Sequence, residues 1–167
     1  MMAVDYVAPS LDTTILASAQ MLWRLATTPG TFAALKANPK RARSVVNESV
    51  RLASPVREFT RLAVADYATA DGTIPAGKRA AMLFASANWD EDHYERADEF
   101  VVDRDPRDHL GWGHGSQICA GMPLARLEME ALARAMAQHV DSIAVGDLVP
   151  LANNVMQGFA ALPARFS

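Results

Sequence analysis

Four glycines surround the only cysteine of the chain in the stretch Gly111-Trp112-Gly113-His114-Gly115-Ser116-Gln117-Ile118-Cys119-Ala120-Gly121. Glycine adopts backbone angles that other residues avoid, so such a loop can lie close against a flat object. Pro123 follows at a position typical of a helix start. A helix N-terminus favours negative charge, so Cys119 is placed to be a thiolate.

Several interpretations of this loop are open from its residues alone. A thiolate, a flat surface and closely packed glycines suggest haem iron with an axial cysteine. The simplest alternative is a glycine-rich turn that holds an inert cysteine. Cys119 could also be a nucleophile with His109 or His114 as its base. A metal site built from His109, His114 and Cys119 is a further alternative, although the four-residue gaps fall outside the usual zinc spacings.

Apolar periodicity outward from the loop predicts a mainly helical α+β fold with a small antiparallel sheet. Residues 88–121 show little periodicity, and a stretch of that length within a compact domain is usually functional. Helices are predicted over residues 12–28, 32–37, 40–53 and 124–140. Strands are predicted over residues 57–64 and 80–85 and around Ile143, Val155 and Ala161.

Two shorter motifs lie upstream of the cysteine. Glu48 and Arg51 are three residues apart in the third predicted helix and therefore share a face. By spacing alone they would be a solvated surface pair that contributes little stability. Asp12 and Thr13 lie where the first helix is predicted to start, and by themselves they read as a helix cap.

These motifs in this order make the chain closely resemble the C-terminal part of a bacterial cytochrome P450. The resemblance runs from near Pro9 to the C-terminus, and it implies a single region over residues 1–167. It implies haem as cofactor, with Cys119 as the thiolate ligand of the iron. Trp112, Gly113 and Gly121 would shape the ligand loop. The implied activity is O2-dependent hydroxylation or demethylation of a small organic substrate, with electrons from a ferredoxin or flavoprotein.

The resemblance also implies roles for residues outside the loop. Glu48 and Arg51 would be poorly exposed and would lock their helix to the segment before the loop, near residues 100–109, with Arg104 as the third member of the network. Arg61 and Gln117 would bind the haem propionates. Asp12 and Thr13 would be the acid–alcohol pair that delivers protons to dioxygen. Residues predicted to line the substrate pocket are Val56, Phe59 and Met156.

This sequence departs from the family pattern at several positions. Trp112 replaces a phenylalanine and keeps an aromatic ring at the loop. Gln117 replaces a histidine and brings no charge. Pro9 and Ser10 replace a pair of small residue and glycine, which makes oxygen activation less well supported than haem binding. Glu99 lies where an arginine is frequent.

The chain begins within the distal helix of the family, so we expect a partial protein. The alternative function is that of a non-catalytic remnant that binds haem weakly or self-associates through its first helix. That helix carries apolar residues on more than one side, as in a helix that is buried nearly all round, and we expect these surfaces to have lost part of their cover in the partial chain. These residues are Leu11, Ile15, Leu16, Met21, Leu22 and Trp23.

Composition narrows the remaining classes. The 167 residues carry 16 basic and 19 acidic side chains, a formal net charge of −3, so a strongly basic nucleic-acid binder is excluded. Hydrophobic residues make up 50%, as in a globular chain. A single cysteine rules out an internal disulfide framework and favours a reducing compartment. We find neither a membrane span nor a signal peptide and expect a cytoplasmic protein.

Overall fold

The structure is a computed structural model that describes the backbone of residues 2–167 and the side chains from Val7 onward. Five α-helices and eight short strands follow one another along the described chain. The helices are α1 (Met2–Thr27), α2 (Thr31–Ala37), α3 (Ala42–Ala53), α4 (Phe84–Asn88) and α5 (Met122–His139). The strands are β1 (Phe59–Leu62), β2 (Tyr67–Thr69), β3 (Gly72–Ile74), β4 (Arg79–Met82), β5 (Ile143–Val145), β6 (Val149–Pro150), β7 (Phe159–Ala161) and β8 (Ala164–Phe166).

The core lies where α1, α3 and α5 pack together. Helix α3 is buried along nearly its whole length, because α1 and α5 cover different sides of it. Apolar side chains from the three helices meet there and exclude water, the main source of stability in such a core. They include Met21 and Leu25 of α1, Val46 and Val50 of α3, and Met129 and Ala133 of α5.

Helix α1 begins ten residues earlier than the apolar pattern predicts and runs through Pro9. The hydroxyl of Thr13 donates to the Pro9 carbonyl at 2.6 Å. The expected loss of cover is found in the first half of α1, whereas its second half is packed into the core. Leu16 and Met21 are in the core, whereas Leu11 and Ile15 are 56% and 61% exposed.

The strands form four separate antiparallel pairs and not one small sheet. Strand β1 pairs with β4 so that Arg61 lies opposite Ala80, and the remaining pairs are β2–β3, β5–β8 and β6–β7. The predicted strand around Val155 is wrong. The Asn153 side chain accepts hydrogen bonds from the backbone of Val155 and Met156, each at 2.8 Å, and turns the chain there.

Helix α4 lies where the sequence predicts the end of a strand. The predicted strand over residues 80–85 ends at Met82, and the five residues of α4 are too few to show a helical period. Residues 89–109 then form turns without a strand, which agrees with the lack of periodicity. Among the described residues, no helix is both long and apolar enough to cross a membrane.

Candidate haem-thiolate site

The cysteine loop consists of two short 3-10 turns that lead into the N-terminus of α5. The first turn spans Leu110–Trp112 and the second spans Gly115–Gln117. Between them Gly113 has a φ of 73°, and a β-carbon there would lie 3.2 Å from the Gln117 carbonyl oxygen. The backbone N–H of Cys119 donates to the Trp112 carbonyl at 2.8 Å. This bond closes the loop and leaves the Cys119 thiol exposed at its tip.

The base of the loop is pressed against α3. A β-carbon at Gly111 would lie 2.8 Å from Cγ1 of Val50 and 2.9 Å from Nδ1 of His109, so only glycine fits without a shift. At the other end, a β-carbon at Gly121 would lie 3.8 Å from the Cys119 sulfur, which is ordinary contact. Gly111 therefore allows close packing at the base of the loop, whereas the backbone around Gly121 is not crowded.

His109 supports the loop from inside and is not available as a metal ligand or base. It is 5% exposed, and its Nδ1 accepts the backbone N–H of Gly111 at 3.0 Å. His114, in contrast, is exposed. No group of three His, Cys, Asp or Glu side chains within residues 7–167 is placed to hold a metal ion. The structure therefore does not bring His109, His114 and Cys119 together as the metal hypothesis requires.

The pKa of His109 is lowered from its ordinary value of 6.5 to about 4, mainly because the ring is buried. The nearby Arg126 and Arg51 act in the same direction, and Asp108 and Asp105 oppose it. The folded chain therefore resists protonation of this ring. The stability that the neutral ring contributes is fully present above pH 6.5, and it is lost as the pH falls from 6.5 toward 4. At 1.36 kcal/mol per pKa unit, the loss amounts to about 3 kcal/mol of unfolding free energy.

We expect His109→Asn to lose less stability on acidification than the wild-type chain. The amide oxygen can still accept the Gly111 N–H, but it does not titrate. Urea unfolding at about pH 7 and about pH 4.5 measures the difference. The control is His139→Asn, in which an exposed histidine at the end of α5 is replaced. Equal acid sensitivity in wild type and His109→Asn would contradict the assignment.

Glu48 and Arg51 form a fully buried ion pair, contrary to what their spacing alone predicts. Both side chains are 0% exposed, and Nε of Arg51 lies 2.8 Å from Oε2 of Glu48. The expectation that both are poorly exposed is therefore confirmed. Arg51 also donates to three carbonyl oxygens of the segment before the loop, which satisfies its remaining N–H groups. These are the carbonyls of Asn88 (2.6 Å), Ala97 (2.7 Å) and Glu99 (3.3 Å).

Arg51 reaches the chain just before the expected segment. Of its three carbonyl partners, Glu99 lies next to residue 100, and Asn88 and Ala97 lie further upstream. Glu48 instead reaches the later segment, since its Oε1 accepts the Val101 N–H at 3.2 Å. The pair divides the contacts because an arginine can only donate and a carboxylate can only accept.

Arg104 is the closest cation to this pair from the segment before the loop. Its Nε lies 3.0 Å from Oε1 of Glu48, and its Nη2 donates to the Arg96 carbonyl at 3.0 Å. The guanidinium groups of Arg51 and Arg104 lie 4.8 and 5.9 Å from the ring centre of Tyr94. Burial, together with the neighbouring Asp108, raises the pKa of Tyr94 to about 12. One carboxylate thus sits between two guanidinium groups on an aromatic ring.

Asn88 is a buried residue of the site that the sequence reasoning missed. It is 1% exposed and ends α4. Its Oδ1 accepts the backbone N–H of Leu110 at 2.7 Å, and its Nδ2 donates to the Ser54 hydroxyl at 2.9 Å. No spacing in the sequence marks this residue, because its partners lie 22 and 34 positions away.

The predicted acid–alcohol pair lies on α1. Asp12 is exposed, and Thr13 is half-buried with its hydroxyl bonded to the Pro9 carbonyl. Ser10 donates to the Val7 carbonyl at 2.9 Å. These contacts keep the hydroxyls on the helix surface and leave the Asp12 carboxylate open to a neighbouring group.

The predicted propionate ligands are both exposed. Arg61 lies on β1, and its Nη1 donates to the carbonyl of Thr60 at 3.1 Å. Gln117 ends the second 3-10 turn, two residues before Cys119. Neither side chain is committed to a buried contact, so each can bind an anionic group at the surface.

The structure brings two of the three predicted pocket residues together. Val56 and Met156 form an isolated antiparallel bridge. Gly158 ties this bridge to α1, since a β-carbon there would lie 2.5 Å from Cδ2 of Leu16. Phe59 lies apart on β1, half-exposed, with its ring edge-on to Phe84 at 6.2 Å.

The residues present fit a haem held by one thiolate. The sulfur is exposed at the N-terminus of an 18-residue helix, and the base of its loop is fixed by close backbone packing. The helix N-terminus favours the thiolate form of such a ligand. An exposed arginine and an exposed glutamine are free to bind carboxylates. These features are those of a protein that presents a single cysteine to a flat cofactor.

Comparison with known proteins identifies the family. The family model named Cytochrome P450 matches residues 41–144. The chain is 35% identical to cytochrome P450 CYP199A2 of Rhodopseudomonas palustris over 162 residues. This alignment covers 96% of this chain and 39% of that protein. It is 34% identical over 157 residues to cytochrome P450-terp of a Pseudomonas species, with 93% and 37% covered. The chain belongs to the cytochrome P450 family, for which haem is the expected cofactor.

Solved structures agree with this assignment. Cytochrome P450 CYP109B1 of Bacillus subtilis superposes with a TM-score of 0.90 at 26% identity, over 95% of this chain and 44% of that one. CYP108D1 of Novosphingobium aromaticivorans gives 0.88 at 33% identity, over 93% and 38%. The mainly helical fold with small antiparallel sheets is therefore that of part of a P450. The chain spans about two fifths of the length of these relatives.

Proposed function

We propose that this chain is the haem-binding region of a haem-thiolate monooxygenase, with Cys119 as the protein ligand of the iron. The exposed thiol on a loop held from α3 carries the proposal. When bound, the haem supplies dioxygen activation, and a thiolate ligand favours cleavage of the O–O bond. The buried Glu48–Arg51 pair holds the segment before the loop, with Arg104 as its third member.

The remaining residues take roles around the cofactor. Arg61 and Gln117 bind its propionates, because both are exposed donors at the surface. Trp112, Gly113 and Gly121 shape the loop at the sulfur, as their contacts support.

The distal part of the site is on α1 and in the bridge beside it. Asp12 holds and transfers protons, and Thr13 presents a hydroxyl on the same turn of α1. Val56, Phe59 and Met156 line the pocket for a small organic substrate, which is hydroxylated or demethylated. A ferredoxin or flavoprotein supplies the electrons.

Haem titration of the purified chain tests the proposal. Thiolate-ligated haem gives a red-shifted Soret band in the reduced carbon-monoxide form, and we expect that band to appear as haem is added. The titration also measures affinity, which we expect to be weak, since Arg61 and Gln117 are the two assigned propionate ligands. The band should therefore approach its full intensity only when haem is in excess. A reduced carbon-monoxide spectrum without the red-shifted band at excess haem would contradict the proposal.

A second candidate function is that of a self-associating, non-catalytic chain. Three exposed apolar side chains on α1 favour it, namely Val7, Leu11 and Ile15, which are 55%, 56% and 61% exposed at four-residue intervals. Burial of such a stripe contributes about 25 cal/mol per Å2, enough to drive association when several side chains are covered. Light scattering of dilute protein distinguishes the two. A monomer that binds haem and oxidises a substrate would exclude the second function.

A further inference from the structure

A buried chain of hydrogen bonds leads from the Glu48–Arg51 pair to the cysteine loop. Arg51 donates to the Asn88 carbonyl at 2.6 Å, and the Asn88 side chain accepts the Leu110 N–H at 2.7 Å. Leu110 begins the 3-10 turn whose last residue, Trp112, accepts the N–H of Cys119 at 2.8 Å. A single asparagine thus connects the ion pair to the turn that fixes the cysteine.

The Asn88 side chain has one orientation that satisfies all its partners. Its Nδ2 donates to the Ser54 hydroxyl, which itself donates to the Arg51 carbonyl at 2.9 Å. Ser54 ends α3 in a left-handed conformation with φ of 36°. Because the amide oxygen and nitrogen have different partners, rotation of the amide by 180° would break both bonds. The orientation of the acceptor for Leu110 is therefore fixed from α3.

We propose that Asn88 is a positioning residue for Cys119, which sets the backbone of the ligand loop from the buried ion pair. It touches neither the cofactor nor the substrate and acts through Leu110 and Trp112. This inference rests on the proposed function only where it concerns haem. Its structural part, that Asn88 holds the loop backbone, is measured on the Leu110 and Cys119 amides of the haem-free chain.

Amide hydrogen exchange of the haem-free chain tests the structural part. We expect Asn88→Leu to lower the protection of the Leu110 and Cys119 amides by roughly fivefold, since a hydrogen bond of this kind contributes about 1 kcal/mol. Unchanged protection of Cys119 in Asn88→Leu would overturn the proposal.

Two further variants separate positioning from general destabilisation. Leu35→Ala removes a fully buried side chain of α2, remote from the loop, and should lower protection of all core amides alike. Ser54→Ala removes the partner of Nδ2 and the hydroxyl donor to the Arg51 carbonyl but only one heavy atom. We expect it to fold, and it therefore covers the case in which Asn88→Leu does not. It should lower protection at Leu110 and Cys119 by a few-fold. A decrease spread evenly over the core in Ser54→Ala would overturn the proposal.

Haem ligation gives an independent measurement on the same variants. The fraction of reduced carbon-monoxide complex with the red-shifted Soret band should fall in Asn88→Leu and remain at the wild-type value in Leu35→Ala. A wild-type chain without that band would defeat the proposed function alone, because the exchange data would still decide the role of Asn88. Equal fractions in wild type and Asn88→Leu would defeat the positioning role at the haem.

Discussion

The Arg51→Ala variant should lose about 3–5 kcal/mol of unfolding free energy, the cost of leaving a buried charge without its partner. Glu48 would keep a carboxylate at 0% exposure, and only Arg104 would remain beside it. Three carbonyls of the segment before the loop would also lose their donor. Such a loss is a large fraction of the stability of an ordinary domain. Urea unfolding followed by circular dichroism measures it.

Two variants control for this measurement. Arg134→Ala removes an arginine of α5 that lies 2.6 Å from Glu130 but is 44% exposed, and it should change stability by less than about 1 kcal/mol. Arg51→Lys keeps the charge but cannot reproduce the planar set of donors, so it should fall between the two. An Arg51→Ala chain as stable as Arg134→Ala would show that the pair is not structural.

The second large effect concerns the ligand itself. Cys119→Ala should abolish the red-shifted Soret band of the reduced carbon-monoxide form, because the chain has no other cysteine. Its unfolding free energy should stay near that of the wild type, since the side chain is exposed. Cys119→His should instead give a spectrum of nitrogen-ligated haem where the loop accepts the larger ring.

The matched control replaces a neighbour in the same loop. Ser116 is exposed within the second 3-10 turn, so Ser116→Ala should bind haem with an unchanged spectrum. A thiolate-type spectrum that persists in Cys119→Ala would overturn the assignment of the ligand. Loss of the band in both variants would point to the loop backbone and not to the sulfur.

The local apolar pattern predicts most of the helices correctly. The helices over residues 32–37, 40–53 and 124–140 agree with α2, α3 and α5, because their apolar periods persist over whole turns. The start of α1 and the existence of α4 were not predicted. Pro9 normally discourages a helix interior, and α4 is too short to have a period. Resemblance, and not periodicity, supplied the roles of Cys119 and the Glu48–Arg51 pair.

The sequence by itself determined which residues are local neighbours: the glycines around Cys119, the helix that follows them, and the shared face of Glu48 and Arg51. Only the tertiary structure decided that this shared face is buried, and that Asn88 and His109 support the loop. The reason is distance along the chain. Arg51 meets Ala97 across 46 positions and Leu110 meets Asn88 across 22, and no local period encodes such contacts. Burial also changes the energetics of the pair. An ion pair that contributes little stability in water is costly to break on one side once water is excluded, because the other charge is left buried.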